Sequence, residues 1–188
     1  MPTVERYREL LRNAQQASAT HLSAYEAARS KYGSNKKGHE ATTHELAEHF
    51  RSLGLLYEAL APAEKRFLAG DVNACDDIIN FLEADIPVSR SGYKKEKFYR
   101  KLKSVKLDRG QVTRLQGIAI ARCASTEQRR EDSELRRLMI RLADTEFLRR
   151  IADVPDEAGA RVRHKKSLMI EVVLEGRKDL RTKLKSPK

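Results

Sequence analysis

Between Val4 and Tyr32 the apolar residues Tyr7, Leu11, Ala14, Leu22, Tyr25 and Ala28 fall roughly on one side of a helix, with small residues between them. The stretch Gly33-Ser34-Asn35-Lys36-Lys37-Gly38 reads as a loop bounded by glycines. Thr42 and Glu45 then make a capping-box pattern, and Leu46, Phe50, Leu53, Tyr57 and Leu60 recur in alternating steps of four and three. These two segments predict an antiparallel helical hairpin over 1–61. The alternative use of the Leu46–Leu60 seam is a dimer contact.

Beyond the hairpin the pattern breaks into shorter helices. Pro62 is expected to open one that runs through Leu68, with Gly70 ending it. Asp71 caps the next, whose stripe is Cys75, Ile78, Ile79 and Leu82, and Pro87 breaks the chain after it. A helix from Ser91 presents Phe98, Leu102 and Val105. Asp108 with Gln111 forms a capping box before a segment apolar on most sides, from Val112 to Cys123. Ser125 and Gln128 are expected to open a helix with Leu135, Leu138, Met139 and Leu142 inside. Thr145 is expected to cap one with Phe147, Leu148 and Ile151, and Asp153 or Asp156 to open the last, with Val162, Met169, Val172 and Val173 inward. Gly176 ends it, and Arg177 to Lys188 reads as a frayed basic tail. The helices pair as 71–84 with 91–105, 111–124 with 126–143, and 145–152 with 156–175, a spacing of roughly 35–40 residues that suits helical repeats.

The last pair holds Leu148-Arg149-Arg150-Ile151-Ala152-Asp153-Val154-Pro155-Asp156, followed by Val162-Arg163 and Ser167-Leu168. This resembles a HEAT-type repeat, in which an apolar helix, an Asp/Pro turn and a Val-Arg near the start of the second helix recur. The resemblance is best over 148–175. The earlier pairs share only its rhythm, and Asp153-Val154-Pro155 departs from the usual Asp-Pro turn. It implies stacked helix pairs in a curved α-solenoid that binds proteins or nucleic acids. The run Phe81 to Asp85, with Arg90-Ser91-Gly92-Tyr93 and Lys95-Glu96-Lys97, also resembles a stretch of bacterial helical proteins, which bears on fold alone. The expected architecture is all-α: a hairpin over 1–61, a HEAT-like array over 62–176 and a basic tail over 177–188.

Composition narrows the class. The 188 residues carry 38 Lys and Arg against 27 Asp and Glu, a net charge of +11. Nine Gly and five Pro are too few for a turn-rich β protein. The surplus charge is not spread evenly. Residues 89–109 hold nine basic groups against two acidic ones, and 161–188 hold ten against three, while 110–160 balance at nine each. Two basic patches on helical segments point to an acidic partner, RNA or DNA, with an acidic protein as the alternative. Nothing in the pattern calls for a membrane.

On a helix beginning at Ser91, the side away from the apolar stripe carries Tyr93, Lys97, Arg100 and Lys103, with Lys94 and Lys101 along one edge and Lys95 with Tyr99 along the other. Arg90 and Ser91 stand at its start, where free N–H groups suit phosphate and Gly92 would let a ligand approach the backbone. Lys94, Lys97, Arg100, Lys101 and Lys103 are expected to neutralise a phosphate backbone, and Tyr93 to stack on a base. Arg161, Arg163, His164, Lys165 and Lys166, with Arg177 to Lys188 beyond, form the second patch, and Arg161, Arg163, Lys165 and Lys166 are expected to share its surface.

Other chemistry finds little support. Cys75 and Cys123 are isolated thiols in apolar surroundings, read as small buried groups in a reducing cytoplasm. Met1 to Tyr32 is charged throughout, so no signal peptide is expected. His39, His44 and His49 do not form an HExxH motif. His44 and His49 point about 140° apart on a helix, which leaves His44, Glu48 and His39 or His21 as only a fragment of a metal site. Asp76-Asp77 and Glu131-Asp132 read as solvated or capping groups. The sequence predicts a binding protein without catalytic residues, metal or cofactor.

Overall fold

In a computed structural model the described residues are 2–33, 37, 40–85, 91–156 and 159–185. They form helices, with no strand among them. The chain divides into two compact units, Met1–Ser89 and Arg90–Lys188.

In the first unit, α1 spans Val4–Tyr32 and α2 spans Thr43–Leu68. A 3₁₀ turn at Val72–Ala74 leads into α3, Cys75–Ala84. Thr3 caps α1, its Oγ1 accepting from the Arg6 N–H at 3.2 Å. Gly33 closes the helix in the left-handed region (φ 64°), where its N–H donates to Arg29 O at 2.9 Å. The hairpin is a heptad seam. Tyr7, Leu10, Ala14 and Ala28 of α1 are buried, as are Leu53, Leu56, Leu60, Ala63 and Phe67 of α2. α3 packs on both helices with Ile78, Ile79, Phe81 and Leu82 fully buried, and Phe81 meets Tyr7 edge-on at 5.6 Å.

The seam on α2 runs in a different register from the one expected. Phe50 is 61% exposed and Tyr57 only half-buried, whereas Leu56 is fully buried. Leu53 and Leu60 belong to both registers, so spacing alone cannot choose between 56 and 57. The third helix, which needs an inward side chain on its own side, does. Pro62 does not open a helix. It lies on the exposed side within α2, whose core anchors Leu60, Ala63 and Phe67 span it, so the expected boundary at 61/62 falls inside a continuous helix. Thr42 makes no side-chain cap to α2, because its backbone (ψ 23°) is not the extended conformation that aims a cap at the first turn.

In the second unit, α4 is Ser91–Leu102, α5 Arg109–Ala124, α6 Asp132–Leu142, α7 Thr145–Ala152, α8 Ala160–Gly176 and α9 Lys178–Lys185. α6 packs on α4 along one side and on α8 along the other. α5 lies against α6 and α8, and α7 against α5 and α8. The expected pairs α5–α6 and α7–α8 therefore both form. Phe98, Tyr99, Leu102, Leu115, Leu135, Leu138, Met139, Phe147, Ile151, Val162, Met169 and Val173 make the core. The Asp108–Gln111 capping box is present.

Three other caps are set differently. α6 opens at Asp132 rather than near Ser125. Asp144 caps α7, accepting from Phe147 N–H at 2.7 Å, in place of Thr145. Gly159 (φ 91°) precedes α8, rather than Asp153 or Asp156. The expected frayed tail is instead helical over 178–185, with Leu180 buried against α7 and α8. Gly176 packs tightly against α6: a Cβ there would overlap the side chain of Ile140. Among the described residues no helix is long and apolar enough to cross a membrane.

Candidate anion-binding cleft

The segment joining α5 to α6 is rich in polar groups and needs anchors of its own. Arg122, 5% exposed, reaches across it and grips Asp132 through two nitrogens at 3.1 and 3.3 Å, while donating to Glu127 O at 3.1 Å. Asp132 also accepts the Arg129 N–H at 3.1 Å. Lys165 of α8 enters from the opposite side. Its Nζ donates to the carbonyls of Arg122 (3.2 Å), Ser125 (3.0 Å) and Glu127, with Asp132 Oδ2 at 3.6 Å. Burial pushes its ammonium below the usual lysine range, against the pull of Asp132. Lys165 thus satisfies carbonyls at the C-terminal end of α5, which lack helical partners.

This anchored segment is the floor of a cleft of about 520 Å³ where the first turns of α6 and α8 come together. Its walls carry Arg129, Arg130, Arg136, Arg161 and His164, with Asp132 and the hydroxyl-bearing Thr126 and Ser133 beside them. Among the described residues Arg136, Arg161 and His164 have no ion-pair partner, and the first turn of α8 holds no acidic residue. Arg129 is held by Glu127 at 2.6 Å. The first turn of α6 carries its own carboxylates, Asp132 and Glu134, so the N-terminus of α8 with the guanidinium groups of Arg136 and Arg161 is what this cavity would present to a phosphate-like anion.

The rim continues toward α4. The Arg130 guanidinium lies 4.2 Å over the Tyr93 ring and donates to Glu96 at 2.6 Å; Arg100 donates to the other oxygen of Glu96 at 2.7 Å. The two guanidinium groups hold the Glu96 carboxyl below the usual range.

The expected site residues divide into three groups. Arg90 lies outside the described residues, as does His39. Tyr93, Lys97, Arg100, Arg161 and Arg163 are exposed, Lys94 and Lys101 half-buried, and of these only Arg161 lines the cleft. The rest are engaged internally. Ser91 is buried. Lys103 is paired with Glu134 at 2.9 Å, with Arg100 3.7 Å from the same carboxylate. Lys165 sits in the floor. Lys166 donates to Val154 O and to Asp156 at 2.9 Å, satisfying the end of α7.

Lys95, expected on an exposed edge, is fully buried with Glu131 at 3.9 Å, and Tyr99 is buried beside it. The backbone approach that Gly92 was expected to offer a ligand is taken by Glu131, whose Oε2 lies 2.8 Å from where a Cβ would stand. The start of α4 is therefore covered by the protein's own carboxylate. Of the acidic pairs only Asp76 is exposed, in the first turn of α3. Asp77 is buried against Arg66 at 3.1 Å, and Glu131, Asp132 and Glu134 are all under 10% exposed because the cations of α4, α5 and α8 converge on them.

Sequence reasoning missed Arg129, Arg130 and Arg136, and counted His164 in the second basic patch without giving it a role. Residues 110–160 balance in charge and so attract no notice. One signal was there: all nine cations in that span are arginine, the residue suited to bidentate and stacked contacts. Cys75 and Cys123 are free and buried, and burial pushes the Cys123 thiol up to about 11. Among the described residues no group of three His, Cys, Asp or Glu could hold a metal ion.

No family model, no curated protein and no solved structure matches this chain.

Proposed function

We propose that this chain is a non-enzymatic nucleic-acid-binding protein whose second unit grips backbone phosphate in the cleft between α6 and α8. The observation that carries this reading is the set Arg136, Arg161 and His164, which line one cavity at the N-terminus of α8 and have no ion-pair partner among the described residues. Internal ion pairs take up the flanking charge, so these groups are left for a ligand. Phosphate spaced along a strand then adds a contact to an exposed cation outside the cleft, Arg163. Within the second unit α4, α6 and α8 stack in order, with α5 and α7 on the α6–α8 pair. That alternation supports the helical-repeat reading of the fold and gives a strand-binding surface built from successive helices.

Anisotropy of a labelled oligonucleotide, with polyglutamate as a competing acidic chain, tests the reading. Saturable oligonucleotide binding that weakens with salt and resists polyglutamate supports it. Absence of binding at low salt, or equal displacement by polyglutamate, overturns it in favour of an acidic protein partner.

A further inference from the structure

Resting on that reading, we infer that the nucleic acid is single-stranded, because Tyr93 and Arg130 form a base-stacking platform at the rim of the phosphate cleft. Arg130 belongs to both features: it lines the cleft and its guanidinium lies 4.2 Å over the Tyr93 ring. A phosphate in the cleft thus places the next base of the strand within reach of a planar, polarisable surface. Tyr93 is 61% exposed, and the side chains of Arg100 and Arg130 are 59% and 58% exposed.

An exposed aromatic ring with a guanidinium laid on it has no role in the core of this unit. Its neighbours keep it in place. Glu96 accepts from Arg130 Nε at 2.6 Å and from Arg100 Nη2 at 2.7 Å, which fixes the guanidinium plane on the ring. Glu96 is the positioning residue, and the two arginines outweigh its negative charge toward a passing phosphate. Bases in a duplex are already stacked on each other and their faces are closed to a protein ring. Only an unpaired strand offers a face to Tyr93 and a neighbouring phosphate to the cleft together.

The test compares a labelled single strand, the duplex of the same sequence and inorganic polyphosphate, with wild type, Tyr93→Ala, Tyr93→Phe and Arg136→Gln/Arg161→Gln. Tyr93 is at the surface, so its variants keep the fold. The inference expects the single strand to bind tighter than the duplex, and Tyr93→Ala to weaken it by about ten-fold without changing the salt slope. Tyr93→Phe is expected to retain affinity, and polyphosphate binding to ignore Tyr93. Equal or tighter duplex binding, or an unaffected Tyr93→Ala, overturns the single-strand inference while loss of binding in the arginine variant still upholds the cleft. Wild type that binds none of the three ligands overturns both.

Discussion

The carboxylate of Glu131 stands over Gly92 with Oε2 2.8 Å from the place a Cβ would take, and 3.9 Å from it lies the ammonium of the fully buried Lys95. One helix start that reads from sequence as a phosphate site is thereby filled from within. The same acidic turn of α6 supplies Asp132 to Arg122 and Glu134 to Lys103. Cations on both sides of α6 are consumed by it, while Arg136 and Arg161, near the first turns of α6 and α8, have no ion-pair partner among the described residues.

The Lys95–Glu131 pair is buried, so removing one side takes away a counter-charge the other has lost water for. Glu131→Ala is expected to destabilise the second unit by about 3–5 kcal/mol, and Lys95→Met/Glu131→Leu by much less. Urea unfolding of the single and double variants measures this. Equal losses in both would show that shape rather than charge matters at that position.

Gly176 is expected to tolerate no side chain. Its Cβ would overlap Ile140, a β-branched residue with little freedom to move aside. Gly176→Ala is expected to cost about 1–3 kcal/mol, and Gly176→Ala/Ile140→Ala to recover part of it. Thermal melts of the two decide; an unchanged Tm for Gly176→Ala would mean that α6 and α8 are not in close contact there.

Tyr7 is buried with a hydroxyl that has no hydrogen-bond partner among the described residues, and burial, with Asp77 nearby, pushes its phenol up to about 12. Tyr7→Phe removes that hydroxyl and keeps the edge-on contact with Phe81. It is expected to leave stability equal or raise it by about 1 kcal/mol. A clear drop in Tm would reveal a hydrogen bond at Tyr7.

Glu134 accepts from Lys103 and Arg137, which hold its carboxyl below the usual range. Its folded value is lower than its unfolded one, so its contribution is fully present above about pH 4.3 and is lost as pH falls through the folded value. Melting temperature is expected to fall as pH drops below about 4.3, and Glu134→Gln to flatten that fall. A variant with the same acid profile as wild type would contradict the pairing.

Much of the fold is readable in the chain. Period and caps locate most helices, as at Asp71 and Asp108, because those signals act within a few residues. Leu56 against Tyr57 could not be decided that way, since both fit the spacing and the choice belongs to the packing of α3. Pro62 reads as a break until the anchors on both sides of it are weighed together. The site is less legible. Lys95 and Glu131 lie far apart in the chain, and only the packing of α4 on α6 makes one the partner of the other. Local charge therefore marked α4 as the ligand surface, whereas Arg136 on α6 and Arg161 at the start of α8 are the cleft arginines left without an ion-pair partner among the described residues.

The most direct measurement is the salt dependence of single-strand binding for wild type, Arg136→Gln/Arg161→Gln and Lys97→Gln/Lys101→Gln. The account expects the cleft variant to bind more weakly with a slope of log K against log salt flatter by about 1.4, two contacts at about 0.7 each, and the α4 variant to stay close to wild type. The reverse result, with slope lost from the α4 variant and kept by the cleft variant, would contradict it and return the site to the face of α4.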